Sequence, residues 1–117
     1  MARFSPYLLD RALARAREER EQRRKGRLTA VFQALERLSR LIPFEEAYIF
    51  GSLTKPYRYF ADSDVDIAFI GLRDEDFFRA MAFLSRELGT EVDILQLEGH
   101  PLRDKVVKEG IRWKRSD

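Results

Sequence analysis

Cysteine and asparagine are absent from the 117 residues, glutamine occurs three times and histidine once. Without cysteine there is no disulfide framework, and nothing points to export. The lack of asparagine and scarcity of glutamine is a bias compatible with a high working temperature. Long apolar runs are missing too, all falling well below the roughly 18 residues a membrane span needs. The opening MARFSPYLLDRA holds no apolar stretch of secretory-signal length, so a cytoplasmic location is expected. Internal repeats and low-complexity linkers are likewise absent. What remains is 44% hydrophobic and 36% charged, the composition of a globular chain whose length suits one core, and a stand-alone module is expected.

The formal net charge is only +2, but it is unevenly spread: residues 1–27 carry nine basic and four acidic side chains, and residues 28–117 carry thirteen and sixteen. A basic arm of this kind suits an acidic protein surface or nucleic acid. Nucleic acid is not favoured, because no aromatics interleave with the charges. Glu19 stands four residues before Arg23 and Glu21 four before Lys25, the spacing of ion pairs along a solvated helix.

Periodicity sets the coarse organisation. A helix is expected from about Pro6, with Leu8, Leu9, Ala12, Leu13 and Ala16 forming a stripe. The stripe fades in the polar residues 17–25, so this second half should project into water. After Gly26, a separate amphipathic helix follows from Leu28, Val31, Phe32, Leu35, Leu38 and Leu41, and Pro43 closes it. Residues 1–27 are thus read as a basic helical arm and 28–117 as the domain. EAYIFG and DVDIAFIG read as strands ending at Gly51 and Gly71. Asp74 is placed to cap the next helix, Gly89 to stop it, and TEVDILQL forms a third strand. Strand, helix and strand at this spacing describe a crossover between parallel neighbours. Pro101 opens a last helix, and Ile111 and Trp113 in the tail should fold back on the domain.

Asp64 and Asp66 lie two apart on a strand, so their side chains share a face while Val65, Ile67 and Phe69 face a core. Paired anions repel unless a cation or water separates them. Hard oxygen ligands suit Mg²⁺ or Mn²⁺, which completes its shell with water and phosphate oxygens. Across the parallel crossover, Asp93 would join the pair, and three carboxylates are enough for two ions in an in-line displacement at phosphorus. Gly51 and Ser52 end a strand where the chain bends, offering backbone N–H groups and a hydroxyl to a phosphate. Alone, DVD marks an exposed strand start and GS an ordinary turn. In sequence, GS, eleven residues, DVD, a helix and VDIL make a specific constellation.

At these residues, and in the ending VDILQLEGHPLRDKVVKEGIRWK, the chain resembles the minimal nucleotidyltransferases of the DNA polymerase beta-like superfamily. The resemblance covers about residues 28–114. It implies an α/β (α+β) fold: a small mixed β-sheet with flanking helices, here with an N-terminal helical extension. It also implies that Gly51 and Ser52, together with Ser63, bind the nucleotide triphosphate, and that Asp64, Asp66 and Asp93 bind divalent metal. Asp93 would help to activate the acceptor hydroxyl. The expected activity is transfer of a nucleoside monophosphate, AMP from ATP with Mg²⁺ or Mn²⁺. Members of this family commonly pair with HEPN proteins in toxin-antitoxin modules, so a HEPN-type partner is expected, carrying the acceptor hydroxyl and neutralised by this antitoxin.

Many members have a glycine about four residues after the Gly-Ser pair, where this chain has the longer LTKPYRYFAD. Pro56, Tyr57, Tyr59 and Phe60 offer either a stiff wall or turn anchors, and Lys55 and Arg58 either neutralise triphosphate oxygens or face water. His100 in its turn beside Pro101 takes no role. Two other readings stand beside the enzyme: a fold that blocks its partner by contact alone, and a transferase acting on RNA ends or a small-molecule hydroxyl. The latter is disfavoured because no further domain holds such an acceptor.

Overall fold

A computed structural model of the chain describes residues 6–57 and 64–115. Its elements run α1 (Pro6–Ser39), β1 (Glu46–Phe50), β2 (Val65–Ile70), α2 (Phe77–Leu88), β3 (Val92–Gln96), α3 (Arg103–Glu109) and β4 (Ile111–Lys114). The four strands form one mixed sheet in the order β3-β2-β1-β4. β1 pairs antiparallel with β2 and β4, whereas β2 and β3 are parallel. α2 supplies the expected crossover and ends at Gly89, whose φ of 62° is left-handed.

Alternation along the strands produces two differently clothed faces. On one, Val65, Ile67 and Phe69 of β2 meet Leu35 and Leu38 of α1 and Ala80 and Leu84 of α2, all fully buried. Phe44 bridges Phe69 and Trp113 with ring centroids 5.0 and 5.2 Å away, an edge-and-tilt contact that favours aromatic quadrupoles. On the other, Tyr48, Ala68, Leu97 and Val106 make a smaller cluster beneath α3. Asp64, Asp66 and Asp93 belong by alternation to this second face.

α1 departs most from expectation. It is one helix of 34 residues running straight through Gly26, because a single interior glycine costs only about 1 kcal/mol and packing on both sides overrides it. The expected exposure is also reversed. Tyr7, Leu8 and Leu13 are 67, 61 and 54% exposed, whereas Glu21 and Arg24, in the stretch expected to reach into water, are 5 and 8% exposed. Glu21 bonds Arg24, three residues on, and not Lys25. Arg27 donates to the Leu88 carbonyl at the end of α2 (2.6 Å), and Arg37 pairs with Glu87 (3.0 Å). Both tie the second half of α1 to the domain, and the long axis of 64 Å reflects the projecting first half.

Smaller differences concern caps and the tail. Asp74 does not cap α2; its Oδ1 accepts from Gln96 Nε2 (2.7 Å), and Asp76, 3% exposed, pairs with Arg73 at 2.8 Å. Residues 101–102 form a turn before α3 begins at Arg103. Ile111 and Trp113 do fold back, but as part of a fourth strand on β1. Among the described residues no helix is long and apolar enough to cross a membrane.

Candidate active site

Three chain segments remote in sequence arrive side by side through the strand register. Phe50 is the partner of Asp66 across β1 and β2, and Asp66 is the partner of Asp93 across β2 and β3. Asp93 therefore lies on the strand adjoining Asp66 and on the same face, as the parallel crossover requires. Asp64 is exposed just before β2, Asp66 is half-buried and Asp93 is exposed. Burial raises the Asp66 carboxyl above its ordinary value, and the charges of Asp93 and then Asp64 raise it further. Ser63 lies outside the described residues, as do Arg58, Tyr59 and Phe60.

Gly51 follows β1 at a φ of +80° and starts a short 3-10 turn through Thr54. A β-carbon on Gly51 would stand 2.5 Å from Asp66 Oδ2, so here only glycine lets the backbone lie against the carboxylate. Thr54 Oγ1 donates to the Gly51 carbonyl (2.7 Å), and the Lys55 N–H donates to the Ser52 carbonyl (3.1 Å). Beside the turn, a cavity of about 500 Å³ opens between Phe50, Gly51, Lys55 and the α3 residues Lys105, Val106 and Glu109. Its size falls within the range of small-molecule sites, and its two lysines face a ligand with positive charge. His100 Nδ1 accepts the Leu102 N–H (3.0 Å), which is a turn contact.

Among the described residues no three carboxyl or imidazole groups are gathered closely enough to grip an ion. The donors nonetheless suit one: mutually repelling carboxylates on neighbouring strands fit a hard divalent cation that draws its remaining ligands from water and phosphate. Asp66 and Asp93, with Asp64, are the residues that would hold it.

Reading the sequence missed a buried polar arrangement behind the turn. Arg24 Nε donates to both Glu21 oxygens (3.1 and 3.0 Å) and Arg24 NH1 to the Leu53 carbonyl (3.0 Å), while Glu21 Oε2 accepts the Tyr57 N–H (2.9 Å). Tyr57 has a φ of 63°, and the Arg17 guanidinium lies 5.1 Å over its ring. The i,i+3 spacing of Glu21 and Arg24 is the one trace of this in the sequence, and nothing there links it to Leu53.

Hydrogen bonds from Arg24, then the Tyr57 N–H, hold Glu21 down from its ordinary 4.5 to about 2. A depressed carboxyl contributes stability in full above its unfolded value and loses it as pH falls through the folded one. Glu21→Gln should therefore cost stability at pH 7, and the difference from wild type should close between about pH 4.5 and pH 2. Urea unfolding across that range checks this; a difference independent of pH refutes it.

The sequence profile of the polymerase beta nucleotidyltransferase family matches residues 35–117. No curated protein sequence gives a significant match. Among solved structures, a toxin-antitoxin with AMP-PNP is similar at 26% identity and a TM-score of 0.60, with 73% of this chain and 74% of that one covered. The toxin-antitoxin MntA-HepT is similar at 25% identity, a TM-score of 0.54 and coverage of 73% and 71%. A candidate nucleotidyltransferase from Sulfolobus solfataricus is 31% identical, with a TM-score of 0.51 and coverage of 79% and 84%.

Proposed function

From the premise that the chain belongs to the polymerase beta nucleotidyltransferase family, we propose that it transfers AMP from ATP to a hydroxyl on a partner protein, as the antitoxin of a HEPN-type pair. The observation that carries this is the convergence of Gly51, Asp66 and Asp93 at one level of three adjacent strands. The similarity to a toxin-antitoxin solved with AMP-PNP supports both the nucleotide and the kind of partner.

In this reading the Gly51–Ser52 turn receives the β- and γ-phosphates, with Lys55 and Lys105 facing them from the adjoining cavity. The acceptor oxygen forms a bond to the α-phosphorus, the bond to the bridging oxygen breaks, and pyrophosphate leaves. The Asp93 carboxylate takes the hydroxyl proton. Asp64, Asp66 and Asp93 would hold Mg²⁺ or Mn²⁺, which would neutralise charge on the phosphate oxygens. The exposed start of α1 carries Arg11, Arg15 and Arg17 against Asp10 and, with Tyr7, Leu8, Leu9 and Leu13 exposed, suits an acidic HEPN-type surface with an apolar seam.

That same exposed stripe favours a second reading, an antitoxin that acts by contact alone. Incubating the protein and a HEPN-type partner with labelled ATP and Mg²⁺, alongside Asp66→Ala and Asp93→Ala, separates the two. Label should reach the partner only with the native chain. Absence of label throughout, with partner activity blocked equally by all three proteins, rejects transfer and leaves contact.

A further inference from the structure

We propose that Glu21 and Arg24 of α1 are positioning residues that clamp the phosphate-receiving turn at Gly51 and Ser52, an inference that rests on the nucleotidyltransferase reading. Both residues are more than nine-tenths buried, and a buried ion pair is retained without penalty only when its remaining donors and acceptors are satisfied. Here they are spent on two backbone groups of a distant loop. Arg24 NH1 donates to the Leu53 carbonyl, and Glu21 Oε2 accepts the Tyr57 N–H.

These two groups bracket the exit of the turn. Leu53 is fully buried and lies two residues from Gly51, whose backbone rests on the Asp66 carboxylate. At the other end, Tyr57 holds a left-handed φ of 63°, which residues other than glycine rarely adopt unless their surroundings impose it. Glu21 on its N–H and Arg17 over its ring are the surroundings that do so. A displacement of the clamp is therefore passed by a short stretch of backbone to the contact between Gly51 and Asp66. All three α1 residues precede residue 35, where the family match begins. The long helix thus reaches the site from outside the matched domain, and the loop that follows Gly51 and Ser52 depends on it.

Two conservative variants test the clamp. Glu21→Gln keeps the shape and removes the charge; Arg24→Lys keeps the charge and removes the planar fork. Backbone hydrogen exchange at Leu53, Thr54, Lys55 and Tyr57 is expected to quicken between about ten- and a hundredfold, the change for losing one charge-assisted hydrogen bond. Exchange at Leu35 and Leu38 should quicken by no more than the loss of global stability read from urea unfolding, and the loop amides should quicken beyond it. Affinity for ATP with Mg²⁺, read by calorimetry, should fall about tenfold or more, with Glu19→Gln on the exposed face unchanged. Unaltered exchange at Tyr57 overturns the clamp, and so does a freed loop with wild-type ATP affinity. A wild-type chain that binds no ATP at all sinks the nucleotidyltransferase reading instead, visibly before any variant is compared.

Discussion

Replacing Asp66 with asparagine is expected to make the protein more stable and catalytically inert. The Asp66 carboxyl is raised first by burial and then by Asp93 and Asp64, so its ionised form strains the free protein. The sign follows from linkage. A carboxyl raised in the fold costs stability once pH exceeds its unfolded value, 3.8 for this group, and the cost is complete above the folded value. Asparagine keeps the shape without the charge. At pH 7, with chelator present, the variant should therefore melt above the wild type. At pH 3.5 the two proteins should melt together. Added Mg²⁺ and ATP should stabilise the wild type by mass action and leave the variant behind, and transfer should fall by at least two to three orders of magnitude. A lower Tm at pH 7, or a variant that retains transfer, would remove Asp66 from the proposed site.

The proposed site is the part of the chain whose spacing the sequence states most clearly. Asp64 and Asp66 begin a strand whose alternate residues are core, and it is their combination with GS, the crossover helix and VDIL, not the pair alone, that marks them. The spacing through α2 to Asp93 then dictated the parallel neighbour, and the register of Asp66 with Asp93 follows from it. β4 escaped notice because its four residues include Arg112 and Lys114, and an edge strand with charges on its open side lacks the apolar run that marks an inner one. Its pairing with β1 is set by packing of Trp113 against Phe44, which no local pattern records.

α1 was misread for two opposite reasons. Gly26 was given the force of a helix breaker, yet a local cost of about 1 kcal/mol is small beside the burial of Leu28–Leu38 on one side and the Leu53–Tyr57 contacts on the other. The charges at residues 17–25 were assigned to water because charged residues are seldom buried unless paired. Glu21 and Arg24 are the paired exception, and the pairing became visible only when Leu53 and Tyr57 came within reach. The departure from the family's loop pattern, noted in LTKPYRYFAD, falls on the same residues: a tyrosine holds a left-handed conformation there, with α1 supporting it.

A single added methyl group is expected to have a large effect at Gly51. Gly51→Ala places a β-carbon 2.5 Å from Asp66 Oδ2 at a residue whose φ is +80°. The backbone conformation alone costs an alanine about 1–2 kcal/mol, and relieving the collision requires the turn or the carboxylate to move, so the total loss should be about 2–4 kcal/mol. The two parts separate in a double-mutant cycle. In an Asp66→Ala background the collision partner is gone while the backbone strain persists, and the same glycine substitution should cost only the first part. The coupling of about 1–2 kcal/mol, read from urea unfolding, is the signature of two groups in contact. ATP binding by Gly51→Ala alone should be at least tenfold weaker, because the turn that receives phosphate is the element displaced. If the two substitutions prove additive, Gly51 does not rest on the Asp66 carboxylate, and the geometry joining the phosphate turn to the acidic strand is wrong.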